Sequence, residues 1–189
     1  VKYDLTEFDD SDRRYVYLAS RLEAGDSSVT PVLQDMVDAA ASSAGYTTKA
    51  YHGTRFEFES FKGVSEMGYH FGTKAAARGR VGTGKGTKIL PVYLRIQNPI
   101  TLGYDLGSWD ANYRLADELN RLGIISDQDL TGIKYVQIDG RRRTRSDASA
   151  NRELQNLLKS KGYDSIKYRN TLESRPSWSY IVFDPAQIK

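Results

Sequence analysis

"TTKAYHGT", residues 47–54, is where the chain changes its period. Upstream, apolar residues recur every three or four positions, as on a helix; from Thr47 they alternate with polar ones, as on a strand. The stretch therefore divides helices from strands. Before it, "DSDRRYVYLASRLEAGD" (10–26) carries Tyr15, Leu18 and Leu22 at helical spacing, with Asp10 or Ser11 as cap and Gly25 as stop. "TPVLQDMVDAAASSAGY" (30–46) repeats the pattern, with Thr30 as N-cap, Pro31 opening the helix and Gly45 closing it. Two short helices thus lead in, and residues 1–46 form a helical segment ahead of one compact unit at 47–189.

Within that unit the spacing predicts strands at "TKAYHG" (48–53) and "GYHFGT" (68–73), and one alternating strand at "KILPVYLRIQNPI" (88–100) ended by Pro99. "TKAAARG" (73–79) reads as a short helix, and "GRVGTGKGTK" (79–88) as a glycine-rich loop. That loop fails the G-x-x-x-x-G-K-[ST] spacing and leads into a strand, so it is no nucleotide-triphosphate loop. "DANYRLADELNRLG" (110–123) and "ASANRELQNLLKSKG" (148–162) are amphipathic helices closed by glycine, and "YDSIKYRN" (163–170) and "SYIVFD" (179–184) are late strands. Runs of helix and of strand, without strict alternation, make the class α+β with mainly antiparallel sheet.

Composition narrows the chemistry. A chain of 189 residues is about one domain, and its charge is plentiful but balanced, at +3 net. No apolar run approaches the ~18 residues of a membrane span. With no cysteine, thiolate zinc sites, disulfides and cysteine nucleophiles are excluded. The chain opens on Val1 with no signal peptide after it, which reads as part of something longer, cytoplasmic or delivered into a target cell. From Met67 to Tyr104 there is no acid, while Lys74, Arg78, Arg80, Lys85, Lys88 and Arg95 all fall inside; Arg141, Arg142, Arg143 and Arg145 form a second basic run. Each run is either a solvated face or a site for a polyanion such as a dinucleotide pyrophosphate or nucleic acid.

The two histidines are the sharper signal. His52 is followed by Gly53 and Thr54, so a ligand has close access to backbone beside a ring nitrogen and a hydroxyl. His52 is either a satisfied histidine in an edge strand or a contact for a ribose or carboxamide. A metal is not expected, because His70 is the only other histidine and no acid flanks it closely. Tyr69 and His70 point to opposite faces of their strand, so one of the two is placed to stack on a planar heterocycle. Trp178 reads as core.

"YHGT", "GYHFGT" and "YRNTLE" leading into "SYIVFDPAQIK" resemble the ADP-ribosyltransferase superfamily, in its histidine–tyrosine–glutamate branch. The likeness is to the small transferase domains of bacterial and phage polyvalent proteins, and it covers nearly the whole chain. It implies split antiparallel sheets with helices, NAD as substrate, no metal, and transfer of ADP-ribose to a protein or nucleic acid, as in toxins and effectors. It implies that His52 holds the adenosine-side ribose, that Gly53 holds the carboxamide through its backbone, and that Thr54 supplies a neighbouring hydroxyl. The stacking tyrosine falls at His70, with Tyr69 one place earlier and Phe71 one later in the cofactor site. Glu173 binds the nicotinamide ribose, and Arg78 and Arg80 meet the pyrophosphate or the target. Two departures stand out: an imidazole at His70, and Thr171 where arginine- or asparagine-modifying branches carry glutamate or glutamine. An RNA 2′-phosphotransferase of the same fold and a non-catalytic binding module are the alternatives; Glu173 speaks against the former.

Overall fold

A computed structural model describes residues 9–57, 60–62, 66–107, 109, 112–131, 133, 135–138, 141–144, 148–173 and 176–189. The chain divides into two compact units, Val1–Tyr46 and Thr47–Lys189.

The first unit holds two helices, α1 (Asp10–Glu23) and α2 (Thr30–Ser43), joined through a 3₁₀ turn at Ser27–Val29. Asp9, one residue earlier than the sequence suggests, caps α1 by accepting a hydrogen bond from Asp12 N at 2.8 Å. Thr30 is itself helical and does not cap α2. The 3₁₀ turn, capped by Asp26, runs straight into the helix, and Val29 stands in the cap position without a side-chain bond. Leu18, Val29 and Leu33 form a small core, whereas Tyr15 and Leu22 are exposed.

In the second unit β1 (Thr48–Thr54) pairs antiparallel with β3 (Lys88–Leu94), with His52 opposite Leu90. A four-stranded sheet has the order β2 (Tyr69–Phe71), β8 (Ser177–Val182), β7 (Ser165–Asn170), β4 (Pro99–Leu102). The single strand expected at 88–100 is in fact these two, β3 and β4, in different sheets. Asp164 causes the break, accepting hydrogen bonds from Gln97 N at 2.7 Å and Asn98 N at 3.2 Å. Pro99 then opens β4, a position where its missing N–H costs nothing. Beside β7, β4 runs parallel, the exception in a sheet otherwise antiparallel. Parallel pairing requires a long crossover. That crossover carries α4 (Asn112–Arg121), α5 (Asp127–Thr131), the hairpin β5 (Tyr135–Ile138) and β6 (Arg141–Thr144), and α6 (Ala148–Ser160). Neither α5 nor the hairpin was legible in the sequence. The basic run lies partly in β6, but the side chains of Arg141, Arg142 and Arg143 and all of Arg145 fall outside the described residues.

Leu115 and Leu119 of α4 and Leu154 and Leu158 of α6 pack with Ile100, Ile166, Tyr168 and Ile181 of the sheet into the main core. Each such leucine contributes roughly 1.5–3 kcal/mol by leaving water. Trp109, not Trp178, is the buried tryptophan of this core. Trp178 is half-buried on the other face, with Lys167 Nζ 4.6 Å and Arg169 Cζ 5.5 Å from its ring centroid, so charged side chains occupy the ground a core residue would need. A second cluster, with Ala50, Phe71, Val92, Leu94 and Val182, joins β1 and β3 to β2 and β8. Between β2 and β3 lies α3 (Lys74–Val81), capped by Thr73, whose Oγ1 accepts from Ala76 N; the loop expected at 79–88 begins only after Val81. No helix among the described residues is long and apolar enough to cross a membrane.

Candidate active site

Three elements meet where β1 and β2 face the first turns of α3, and glycines let them approach. A Cβ on Gly53 would lie 2.4 Å from Ala77 O, and one on Gly72 would lie 2.7 Å from Ser179 Oγ. A side chain at Gly53 would force strand and helix apart, and one at Gly72 would crowd the Ser179 hydroxyl and the Ala76 methyl. Beside this junction is a cavity of about 320 Å³, within the usual range of small-molecule sites.

Of the residues expected at a site, His52, Gly53, Tyr69, His70, Phe71, Arg80 and Glu173 line this cavity. Thr54 and Arg78 do not. Thr54 is buried and closes the turn after β1, its Oγ1 bonding both Phe56 N and Phe56 O at 3.1 Å. Arg78 is exposed on α3.

His52 Nδ1 donates to His70 O at 2.9 Å, which puts the ring hydrogen on Nδ1 and leaves Nε2 with acceptor character. Phe61 and Phe71 stand against the ring, with centroids 5.2 and 5.5 Å away. Burial, reinforced by the charges of His70 and Arg80 and opposed only by the bond to His70 O, pushes the His52 pKa below its ordinary value. The ring is therefore neutral at pH 7.

Along β2, Tyr69 and Phe71 turn toward Phe61, while His70 turns to the other face, its ring centroid 6.1 Å from that of Trp109. There Nε2 of His70 lies 3.0 Å from Glu66 Oε2. The two attract, but the approach angle is not that of a hydrogen bond, and Nε2 finds no aligned partner among the described residues. Glu66 was missed by the sequence reading: it stands four residues before His70, although the expectation was that no acid lay close. Contact with His70 chiefly, helped by Arg80 and opposed by burial, holds the Glu66 carboxyl below the usual carboxylate range.

Glu173 sits in the connection between β7 and β8 and is held from three sides. Asn170 Nδ2 donates to Glu173 Oε2 and, at 3.1 Å, to Ser179 Oγ, while Asn170 Oδ1 accepts from Leu172 N at 3.1 Å and Glu173 N at 3.2 Å. Arg80 Nη1 lies 3.3 Å from Glu173 Oε1. Gly79, in mid-helix, touches the turn so closely that a Cβ would fall 1.9 Å from Glu173 O. Asn170 and Gly79 had no motif to announce them. Below, Tyr168 lines the cavity, and burial, with the Glu173 charge adding to it, raises its phenol and keeps it neutral.

A neutral imidazole acceptor, an ionised carboxylate and a guanidinium around one cavity suit a sugar and a phosphate. Among the described residues, no group of three or more histidine or acidic side chains is placed to hold a metal. The α+β split-sheet fold is that of a transferase domain. More particularly, the chain belongs to the family described as ADP-ribosyltransferase in polyvalent proteins, whose model matches residues 43–189. By that description the family transfers ADP-ribose. No curated protein and no solved structure matches the chain.

Proposed function

We propose that residues 47–189 form a catalytic domain that binds NAD in this cavity, breaks the nicotinamide–ribose bond and transfers ADP-ribose to a macromolecular acceptor, protein or nucleic acid. What supports the reading most is convergence: His52, His70, Arg80 and Glu173, from four separate segments, line one cavity of suitable size. His52 Nε2 accepts from a ribose hydroxyl, and the backbone of Gly53 meets the carboxamide. Arg80 stands where the pyrophosphate or the departing charge requires a cation. Glu173 faces the ribose carbon at which positive charge develops, where an immobilised carboxylate lowers the barrier most effectively.

Tyr69 and Phe71, packed against Phe61, face away from His70, so the His70 ring, beside Glu66 and Trp109, is the wall left for a planar nicotinamide. The experiment is transfer of label from adenine-labelled NAD to lysate macromolecules, with protease and nuclease treatment of the products. Label that becomes macromolecular only with active protein supports the assignment, and the sensitive treatment names the acceptor class. Absence of both label transfer and nicotinamide release would overturn it.

A further inference from the structure

Arg80 holds two carboxylates. Its Nη1 is 3.3 Å from Glu173 Oε1 and its Nη2 is 3.4 Å from Glu66 Oε1, and both acids line the cavity. The near oxygens are separated by no more than those two contacts and the width of one guanidinium fork. Two like charges drawn into a partly buried cavity repel, and only opposite charge between them makes the arrangement tolerable. His70 Nε2, 3.0 Å from Glu66 Oε2, restrains the other oxygen of Glu66. The β7–β8 turn offers no second acid, since Thr171 occupies the place two residues before Glu173 and is exposed.

Glycosyl transfer asks two things of the protein: negative charge beside the developing oxocarbenium ion, and a group to take the acceptor's proton. Glu173 serves the first. We propose that Glu66 serves the second, as the general base that deprotonates a hydroxyl acceptor, with His70 and Arg80 as its positioning residues. The inference rests on the ADP-ribosyl-transfer reading above. In the step, the acceptor oxygen bonds to C1 of the nicotinamide ribose as the C1–N bond breaks. The electron pair of that bond leaves with nicotinamide, which departs neutral, and the acceptor's proton passes to the Glu66 carboxylate and then to solvent. A nucleophile that carries no proton has no use for Glu66.

Azide is such a nucleophile and provides the test. Nicotinamide release from NAD is measured for the full chain, Glu66→Gln, Glu66→Ala and Glu173→Gln, with water as acceptor and then with added azide. Removing a general base is expected to slow release about 10²-fold in both Glu66 variants. Azide should bring them back to within about tenfold of the parent, with ADP-ribosyl azide detectable by mass, because a deleted base costs nothing when no proton must be taken. Glu173→Gln should stay slow with azide present. Parent-like release by the Glu66 variants, or slow release that azide does not restore in either variant while circular dichroism is native, would overturn the role of Glu66. No release by the parent under any condition would instead bring down the ADP-ribosyl reading, and the inference with it.

Discussion

The β7–β8 turn and the β1–β2 corner meet at the same cavity but are held by different forces. Glu173 is fixed by polar bonds: Asn170 grips both its carboxylate and its backbone, Arg80 pairs with it, and Gly79 leaves no slack behind it. His52 is held by packing between Phe61 and Phe71 and by a bond to a backbone oxygen. The difference teaches where rate and where affinity and pH response should reside. A polar clamp stores orientation, which transition-state chemistry uses; an apolar clamp stores protonation state, which ligand binding uses.

Substitutions can break that contrast, beginning with the strongest. Glu173→Gln keeps the shape and removes the charge, and should lower nicotinamide release about 10²–10³-fold with the NAD dissociation constant nearly unchanged, by kinetics beside calorimetry. Gly79→Ala comes next. Alanine favours helix by roughly 1 kcal/mol, yet its Cβ would strike Glu173 O, so the turn must shift. Displacing a reacting group by about 1 Å costs on the order of 10²-fold, and kcat should fall by that much while the helix content seen by circular dichroism is retained. If Gly79→Ala were fully active, the turn would not be held as described.

On the packed side, His52→Ala should weaken NAD binding about tenfold, the loss of one hydrogen bond and its ring contacts. Binding as tight as the parent's would separate His52 from the site. The smallest effect is with pH. The unfolded His52 ring takes its proton near 6.5 and the folded ring only at lower pH, so the unfolded state binds more protons in that interval and stability falls as pH drops below about 6.5. NAD affinity should hold level through pH 6.5 and decline only at the lower pH where the folded ring takes its proton, as Nε2 changes from acceptor to donor. The Glu66 carboxyl, held below the usual carboxylate range chiefly by His70, is a second titrating group at the cavity. His52→Asn should remove the decline above the range where Glu66 titrates; a decline unchanged in that variant would assign it to another group.

The same contrast explains what was legible in the sequence. Local rules reach local features: the helical spacing of α1, α2, α4 and α6, the alternation of β1, and histidines set beside glycines. The break of residues 88–100 into β3 and β4 was hidden because its cause, Asp164, is remote in sequence from Gln97 and Asn98. The parallel pairing of β4 with β7 likewise depends on contacts across the crossover. In the site, His52, His70 and Glu173 carry the resemblance, whereas Glu66 and Asn170 are polar residues among many and acquire a role only through their partners. The four-residue interval from Glu66 to His70 was the one available hint, and it suggested nothing because an i,i+4 pair is informative on a helix and these residues lead into a strand.

One measurement bears most directly on the central claim: nicotinamide release from NAD by the purified chain, beside Glu173→Gln, with no other protein present. The role given to Glu173 requires steady release by the parent and a loss of about 10²-fold or more in the variant, both binding NAD alike. Equal rates in the two, or release by neither despite NAD binding, would contradict it.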